Sequence, residues 1–308
     1  MKEKIIFMGT PDFAACILER LIKEGYNITC VVTQPDKPFG RKQEVKYSPV
    51  KQVALDNNLE IFQPLKIKED FKQIQTLSPD LIITAAYGQI VPIEVLKAPR
   101  IKCVNIHGSL LPKYRGGAPI HYAVINGEPT TGVTIMEMVE KMDAGGIITT
   151  AKFPIEFTDT VGDVYNKMKY VGADLIIKTL PSLLNNNFTI TPQVEEDVTF
   201  SPNIKPEEER LDFSKTTLEV YNHIRGMNPF PVAYFEFNEK RYKVYKSEIL
   251  NDSSVTGMIM DITKLGIDIG CSDGIIRILE LQPAGKKKLT TKDYINGKID
   301  LEINKICN

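Results

Sequence analysis

The chain has 308 residues, 43% hydrophobic and 25% charged, with a net charge of -1 at pH 7. This is the composition of a globular protein long enough for two cores, and it exerts no global electrostatic pull on polyanions. Five separated cysteines (Cys16, Cys30, Cys103, Cys271, Cys307) include no Cys-x-x-Cys pair, which favours reduced core thiols and disfavours a zinc site.

The apolar stretch from Ile5 stops at Gly9-Thr10-Pro11-Asp12, too early for a signal peptide, and no run of about 18 apolar residues follows. A cytoplasmic location without membrane contact is therefore expected. Ile5 to Met8 reads as a strand, and Phe13, Ala14, Ile17, Leu18, Leu21 and Ile22 recur at helical spacing until Gly25. Ile28 to Thr33 is the next strand, and Ser48-Pro49 supplies an N-cap and a first-turn proline for a helix through Leu55. Ile61-Phe62 and Leu81 to Ala86 are buried strands. This β-α alternation predicts a mostly parallel, Rossmann-like sheet covered by helices.

Val104 to His107 forms a further strand, Pro119 opens a short helix, and Val133 to Met138 alternates as a strand feeding a loop with Asp143. Ile147 to Phe153 is its expected hairpin partner, and a long amphipathic helix from Val161 to Leu184 closes a domain spanning 1–184. Polar residues 185–204 read as a linker. In 205–308 a helix around Leu218, Tyr221 and Ile224 precedes five short strands: Ala233 to Phe237, Arg241 to Ile249, Thr256 to Met260, Ile267 to Cys271 and Ile275 to Gln282. Their spacing suits a small OB-like β-barrel or a sandwich.

The strongest chemical signal is Asn105-Ile106-His107 running into Gly108-Ser109-Leu110-Leu111-Pro112. On a strand Asn105 and His107 share one face, roughly 6.5 Å apart. The turn after them lies at a strand's carboxyl end, where open α/β sheets bind ligands. Asp143 is either a turn aspartate or a carboxylate for His107, and spacing alone does not decide. Gly9-Thr10-Pro11-Asp12 holds one glycine where a dinucleotide fingerprint needs three, which disfavours NAD. The loop Gln34 to Lys42 is a solvated loop or a flap that touches a polyanion. Lys286, Lys287 and Lys288 are merely solvated or part of a basic face, within a segment (205–308) holding equal numbers of basic and acidic side chains.

The chain resembles the methionyl-tRNA formyltransferase family over nearly its whole length. The matching motifs are Phe7 to Ala14, Thr33-Gln34-Pro35-Asp36, Ser48-Pro49-Val50-Lys51, Ala86-Tyr87-Gly88, Asn105 to Ile120, and Leu281-Gln282-Pro283-Ala284-Gly285-Lys286-Lys287. The resemblance implies a Rossmann-like formyltransferase domain and a C-terminal barrel that helps hold tRNA. It also implies formyl transfer from 10-formyltetrahydrofolate to methionyl-initiator tRNA without a metal. By matching positions it makes Asn105, His107 and Asp143 catalytic. It places folate against Ser109, Leu110, Leu111 and Pro112 and against Tyr87, Gly88, Gln89, Ile90 and Val91. Arg41, Lys42 and Lys286 to Lys288 are the implied tRNA contacts, and a monomer is expected.

The family's Gly-Arg-Gly-Lys-Lys loop reads here Gly40-Arg41-Lys42-Gln43-Glu44, and its Leu-Asp-Thr-Gly reads Met142-Asp143-Ala144-Gly145. The Asn, His and Asp set is shared with formyltransferases acting on a nucleotide-linked amino sugar or on glycinamide ribonucleotide, which remain the alternative. Formyl transfer to an amine passes through a tetrahedral oxyanion, so Asn105 and His107 are expected to donate to that oxygen while Asp143 orients His107 and relays the amine proton.

Overall fold

The computed structural model describes residues 3–39, 44–250, 252–297 and 299–307. Contacts divide the chain into two compact units. Met1–Pro119, Thr130–Phe153 and Tyr165–Ser201 make the first, and Ile120–Pro129, Pro154–Val164 and Pro202–Asn308 the second.

The first unit is built on strands β1 (Ile5–Gly9), β2 (Ile28–Val32), β5 (Ile61–Phe62), β6 (Leu81–Ala85), β7 (Lys102–His107), β8 (Thr130–Glu137) and β9 (Ile147–Pro154), in spatial order β5-β2-β1-β6-β7-β8-β9. Between β2 and β5, β3 (Lys37–Phe39) and β4 (Glu44–Lys46) pair with each other. Sequence patterning treats that stretch as loop, because so short a ribbon has no apolar alternation to reveal it. The pairs β1/β2, β1/β6, β2/β5 and β6/β7 are parallel, whereas β7/β8 is antiparallel.

Every residue of β1 and β6 is buried, as expected of parallel strands covered on both faces. From β1 the chain builds outward through β2 and β5, then returns to β6 and proceeds the other way. The order therefore switches between β1 and β6, and ligands collect at the carboxyl ends of strands beside such a switch. Helix Pro49–Asp56 has the expected start: Ser48 Oγ accepts from Lys51 N at 3.1 Å with Pro49 in the first turn, a cap worth about 1 kcal/mol.

The stretch 185–201 belongs to the first unit, which it joins by backbone. Ile147 N and Thr191 O, and Thr191 N and Ile147 O, bond at 2.8 Å, and Arg115 N donates to Thr199 O at 2.9 Å. A polar composition reads as linker because such segments carry no apolar stripe, but here main-chain bonds hold it in place.

The second unit holds helix Thr217–Gly226 and strands β10 (Tyr234–Phe237), β11 (Lys240–Leu250), β12 (Ile259–Thr263), β13 (Gly266–Gly270), β14 (Ile275–Pro283) and β15 (Leu289–Thr290). The order is β10-β11-β14-β13-β12, with β15 on β14, and the pairs β10/β11, β11/β14, β14/β13, β13/β12 and β14/β15 are antiparallel. This is a curled half-barrel. Register shifts in β11/β14 at Val244 to Ser247 and in β12/β13 at Ile259 to Asp261 supply extra residues that bend the strands. Phe235 and Tyr242 stack at 5.2 Å in its core, joined by Val220 and Ile224 of the helix and by Met227 just after it. The helix starts with a capping box, Thr216 Oγ1 accepting from Glu219 N and Glu219 Oε2 accepting from Thr216 N. Gly226 allows close approach of Ile125, whose Cγ1 would lie 2.4 Å from an added Cβ. A chain cut near Ser201 would strip Ile120–Pro129 and Pro154–Val164 of the body they pack with, so truncation there does not isolate a domain.

Asp300 anchors the end of this unit. Burial pushes its carboxyl up, but hydrogen bonds from Tyr294 (2.6 Å) and Lys240 (3.0 Å) outweigh that and hold it down at about 2. A carboxylate depressed below its unfolded value of roughly 4 contributes stability above that pH and loses it as pH falls toward 2. Asp300→Asn is therefore expected to cost about 1–2 kcal/mol at pH 7, with the gap to the parent closing between about pH 4 and 2. Urea unfolding at pH 7, 4 and 2.5 checks this, and a pH-independent difference would contradict it.

Candidate active site

Strand β7 lies between β6 and β8, with Cys103 opposite Ile82, Asn105 opposite Thr84 and His107 opposite Thr134. Alternation sends Val104 and Ile106 to one face and Cys103, Asn105 and His107 to the other. Cys103 sinks into a cluster with Ile82, Val91 and Val95, and burial pushes its thiol up. The face is thus apolar at its base and polar at the carboxyl end.

Thr84 Oγ1 donates to Asn105 Oδ1 at 2.8 Å and also lies 3.2 Å from Val104 O. With its oxygen occupied, the Asn105 amide offers its Nδ2 edge as donor. His107 is buried, and its Nε2 lies 2.9 Å from Tyr114 O. A carbonyl oxygen can only accept, so Nε2 carries a proton and Nδ1 is the variable position. Nδ1 faces Asp143 Oδ1 at 3.7 Å, too long for a hydrogen bond but close enough for the carboxylate to complement a proton there. The other carboxylate oxygen, Oδ2, accepts from Gly116 N at 2.9 Å.

One turn thus supplies Tyr114 O to the histidine and Gly116 N to the aspartate. Tyr114 and Asp143 both have left-handed backbones, at φ 63° and 52°. Gly145 lies so close to Glu137 that an added Cβ would sit 1.8 Å from its carbonyl oxygen, which pins the start of the return path after Asp143. Strand alternation in the sequence places Asn105 and His107 together, whereas it does not reach Asp143, which the loop brings to His107. The sequence signal for Thr84 is that it is the lone polar residue before the alanines of an otherwise apolar strand.

Within Ser109–Pro112, Ser109 is fully buried and its Oγ donates to Lys113 O at 2.7 Å, while Thr134 Oγ1 donates to Ser109 O and accepts from Leu111 N. Leu111 is buried, whereas Leu110 and Pro112 are partly exposed. The Tyr87 to Val91 segment divides. Tyr87 and Val91 enter the apolar cluster, and the Tyr87 hydroxyl is buried with no hydrogen-bond partner among the described residues. Gln89 Oε1 accepts from Ile67 N at 2.8 Å, so that side chain braces the loop. Gly88 has φ +91° on exposed backbone, and Ile90 is 74% exposed. Ile90, Leu110 and Pro112 leave apolar surface accessible, and the Gly88 backbone is exposed.

Arg41 and Lys42 lie outside the described residues. Lys286 and Lys287 are exposed, whereas Lys288 pairs with Glu280 and sits 4.9 Å from the Tyr245 ring centroid. His121 and His223 each meet a backbone carbonyl, of Phe230 at 3.2 Å and Glu208 at 2.7 Å. Among the described residues no cluster of three His, Cys, Asp or Glu could hold a metal, and no helix is long and apolar enough to cross a membrane.

A family model described as formyl transferase matches residues 3–180, and one described as formyl transferase, C-terminal domain, matches 203–298. The chain is 49% identical over 296 residues to the methionyl-tRNA formyltransferase of Macrococcus caseolyticus, covering 96% of this chain and 95% of that protein. It is 50% identical over 303 residues to the protein of that name from Lactiplantibacillus plantarum, covering 96% of each. Among solved structures, a sugar 3N-formyl transferase with dTDP and 5-N-formyl-THF aligns with a TM-score of 0.70 at 24% identity, covering 93% of this chain and all of that one. An N-formyltransferase from Helicobacter canadensis, with folinic acid and dTDP-3-aminofucose, aligns at 0.72 and 23% identity, covering 94% of this chain and all of that one. At such identities these structures share the fold.

Proposed function

This chain belongs to the methionyl-tRNA formyltransferase family, and on that premise we infer that it transfers a formyl group from 10-formyltetrahydrofolate to the amino group of methionine esterified to initiator tRNA, for translation initiation. The observation that carries the assignment to residues is the meeting of Asn105, His107 and Asp143 at the end of β7.

In the transfer a bond forms between the methionyl nitrogen and the formyl carbon, the bond from that carbon to N10 breaks, and the amine proton ends on N10. Charge develops on the formyl oxygen between the two events. Asn105 Nδ2 is the donor left available for that oxygen, since its own oxygen is occupied by Thr84. His107 can contribute only through Nδ1, because Nε2 is committed to Tyr114. Asp143 stands opposite that nitrogen, so a proton lost by the amine can rest on Nδ1 beside a carboxylate before it returns to the leaving nitrogen. Folate would be held by the exposed apolar and backbone groups of Ser109 to Pro112 and Tyr87 to Val91, and it brings the activated formyl carbon.

Incubating the purified protein with 10-formyltetrahydrofolate and methionyl-tRNA should add one formyl mass to the aminoacyl group. Formylation of a nucleotide-linked amino sugar or glycinamide ribonucleotide, with methionyl-tRNA untouched, would overturn the acceptor assignment.

For tRNA contact we propose Arg41, Lys42 and Lys286 to Lys288. The exposure of Lys286 and Lys287 supports this, and Lys288 divides its charge with Glu280. Neutralising Lys286 and Lys287 together is expected to raise the KM for tRNA and to reduce the slope of log KM against log salt by up to about two, since each lost phosphate contact releases about one counterion fewer. KM measured from 50 to 200 mM salt checks it. An unchanged slope removes these lysines from acceptor recognition.

A further inference from the structure

Gln193 lies in the polar stretch 185–204, and nothing in its sequence surroundings marks it. Both its amide donors and its amide oxygen are engaged. Oε1 accepts from Arg115 Nε at 3.0 Å, while Nε2 donates to Asp143 O at 2.8 Å and Gly145 O at 2.7 Å. The reversed amide would set N–H against N–H and carbonyl against carbonyls, so the partners fix its orientation.

Arg115 is 1% exposed, and its Nη2 bonds Glu195 Oε1 at 3.0 Å, which with Lys141 holds the Glu195 carboxyl below its usual range. The segment carrying Gln193 is fastened on both sides, at Thr191 to Ile147 and at Thr199 and Ser201 to Arg115. Asp143 therefore has two supports. Gly116 N, next after Arg115, holds its carboxylate, and Gln193 holds its backbone carbonyl. Asp143 takes a left-handed backbone at φ 52°, which an aspartate tolerates, so its two partners rather than its own dihedral preference fix where the carboxylate points, 3.7 Å from His107 Nδ1.

We propose that Gln193, held by Arg115, is a positioning residue for Asp143: its two N–H donors clamp the loop so that the carboxylate faces His107. The inference rests on the catalytic reading of Asp143.

Gln193→Glu keeps the length and an acceptor for Arg115 but loses both donors to the loop, whereas Gln193→Met keeps the bulk and loses both sets of contacts. A residue that only braces Arg115 would tolerate glutamate. A positioning residue would not: kcat should fall about ten- to a hundredfold in either variant, the toll of misplacing a reacting group by about 1 Å, with KM for folate and tRNA within about twofold and the protein still folded at the assay temperature despite a lower melting temperature from the unmet carbonyls. In an Asp143→Asn background, the same change should cost less than about twofold, because the group it positions is already disabled. Parental kcat in either folded variant beside an impaired Asp143→Asn, a loss expressed in KM alone, or effects that multiply in the double variant would each overturn the proposal. Full activity of Asp143→Asn would instead remove the role of Asp143, so the two failures are told apart.

Discussion

His107→Ala and Asn105→Ala are each expected to lower turnover by at least about a hundredfold, equivalent to about 2.7 kcal/mol of lost transition-state stabilisation. The reason is directional. Asn105 gives its oxygen to Thr84 and is left with a donor edge, and His107 gives one nitrogen to Tyr114 and is left with Nδ1 opposite a carboxylate. Both available edges belong to side chains on one face of β7, where Asn105 Nδ2 can donate to the developing oxyanion and His107 Nδ1 can hold the amine proton. Uniform binding should be spared, since the apolar surface of Ile90, Leu110 and Pro112 is untouched, and folate affinity should stay within about twofold. Single-turnover rates with saturating folate, alongside a direct folate titration, separate the two quantities. Near-parental turnover in folded Asn105→Ala would end its oxyanion assignment, and in folded His107→Ala would end its proton-holding one.

Much of this site is legible in the chain because its logic is local. Period-two alternation places Asn105 and His107 together, and the burial of Val104 and Ile106 on the opposite face secures the register. The strand–helix alternation that gives the parallel sheet is equally local, and so is the Ser48-Pro49 helix start. What is not legible depends on distant segments. Asp143 reaches His107 through the fold of a loop, and its supports come from residue 116 and residue 193, the latter inside a stretch whose polarity reads as linker. The second unit's claim on Ile120–Pro129 and Pro154–Val164 is hidden for the same reason: these pieces look like ordinary connections between strands, and only packing assigns them to a different core. Thr84 is the intermediate case, visible as a polar residue in an apolar strand but interpretable only once Asn105 is beside it.

Asp143→Asn should lower turnover by about a hundred- to ten-thousandfold, the range lost with a positioned proton-transfer group. This substitution isolates charge from shape. Asparagine tolerates the left-handed backbone at φ 52° better than most residues, so the turn should survive unchanged. Its amide oxygen can still accept from Gly116 N, and its backbone carbonyl can still accept from Gln193. The difference falls at His107, where an NH2 group replaces a carboxylate oxygen opposite Nδ1. That group cannot accept a proton or offset a positive ring. It would instead present a donor to the bare nitrogen and favour the ring that has not taken up the amine proton. A turn aspartate without chemistry predicts the reverse, equal activity and equal or greater stability. Single-turnover rates and melting temperatures of the two proteins decide: turnover within about threefold of the parent at matched stability assigns Asp143 to the turn, whereas a large loss in an equally stable protein assigns it to the proton relay.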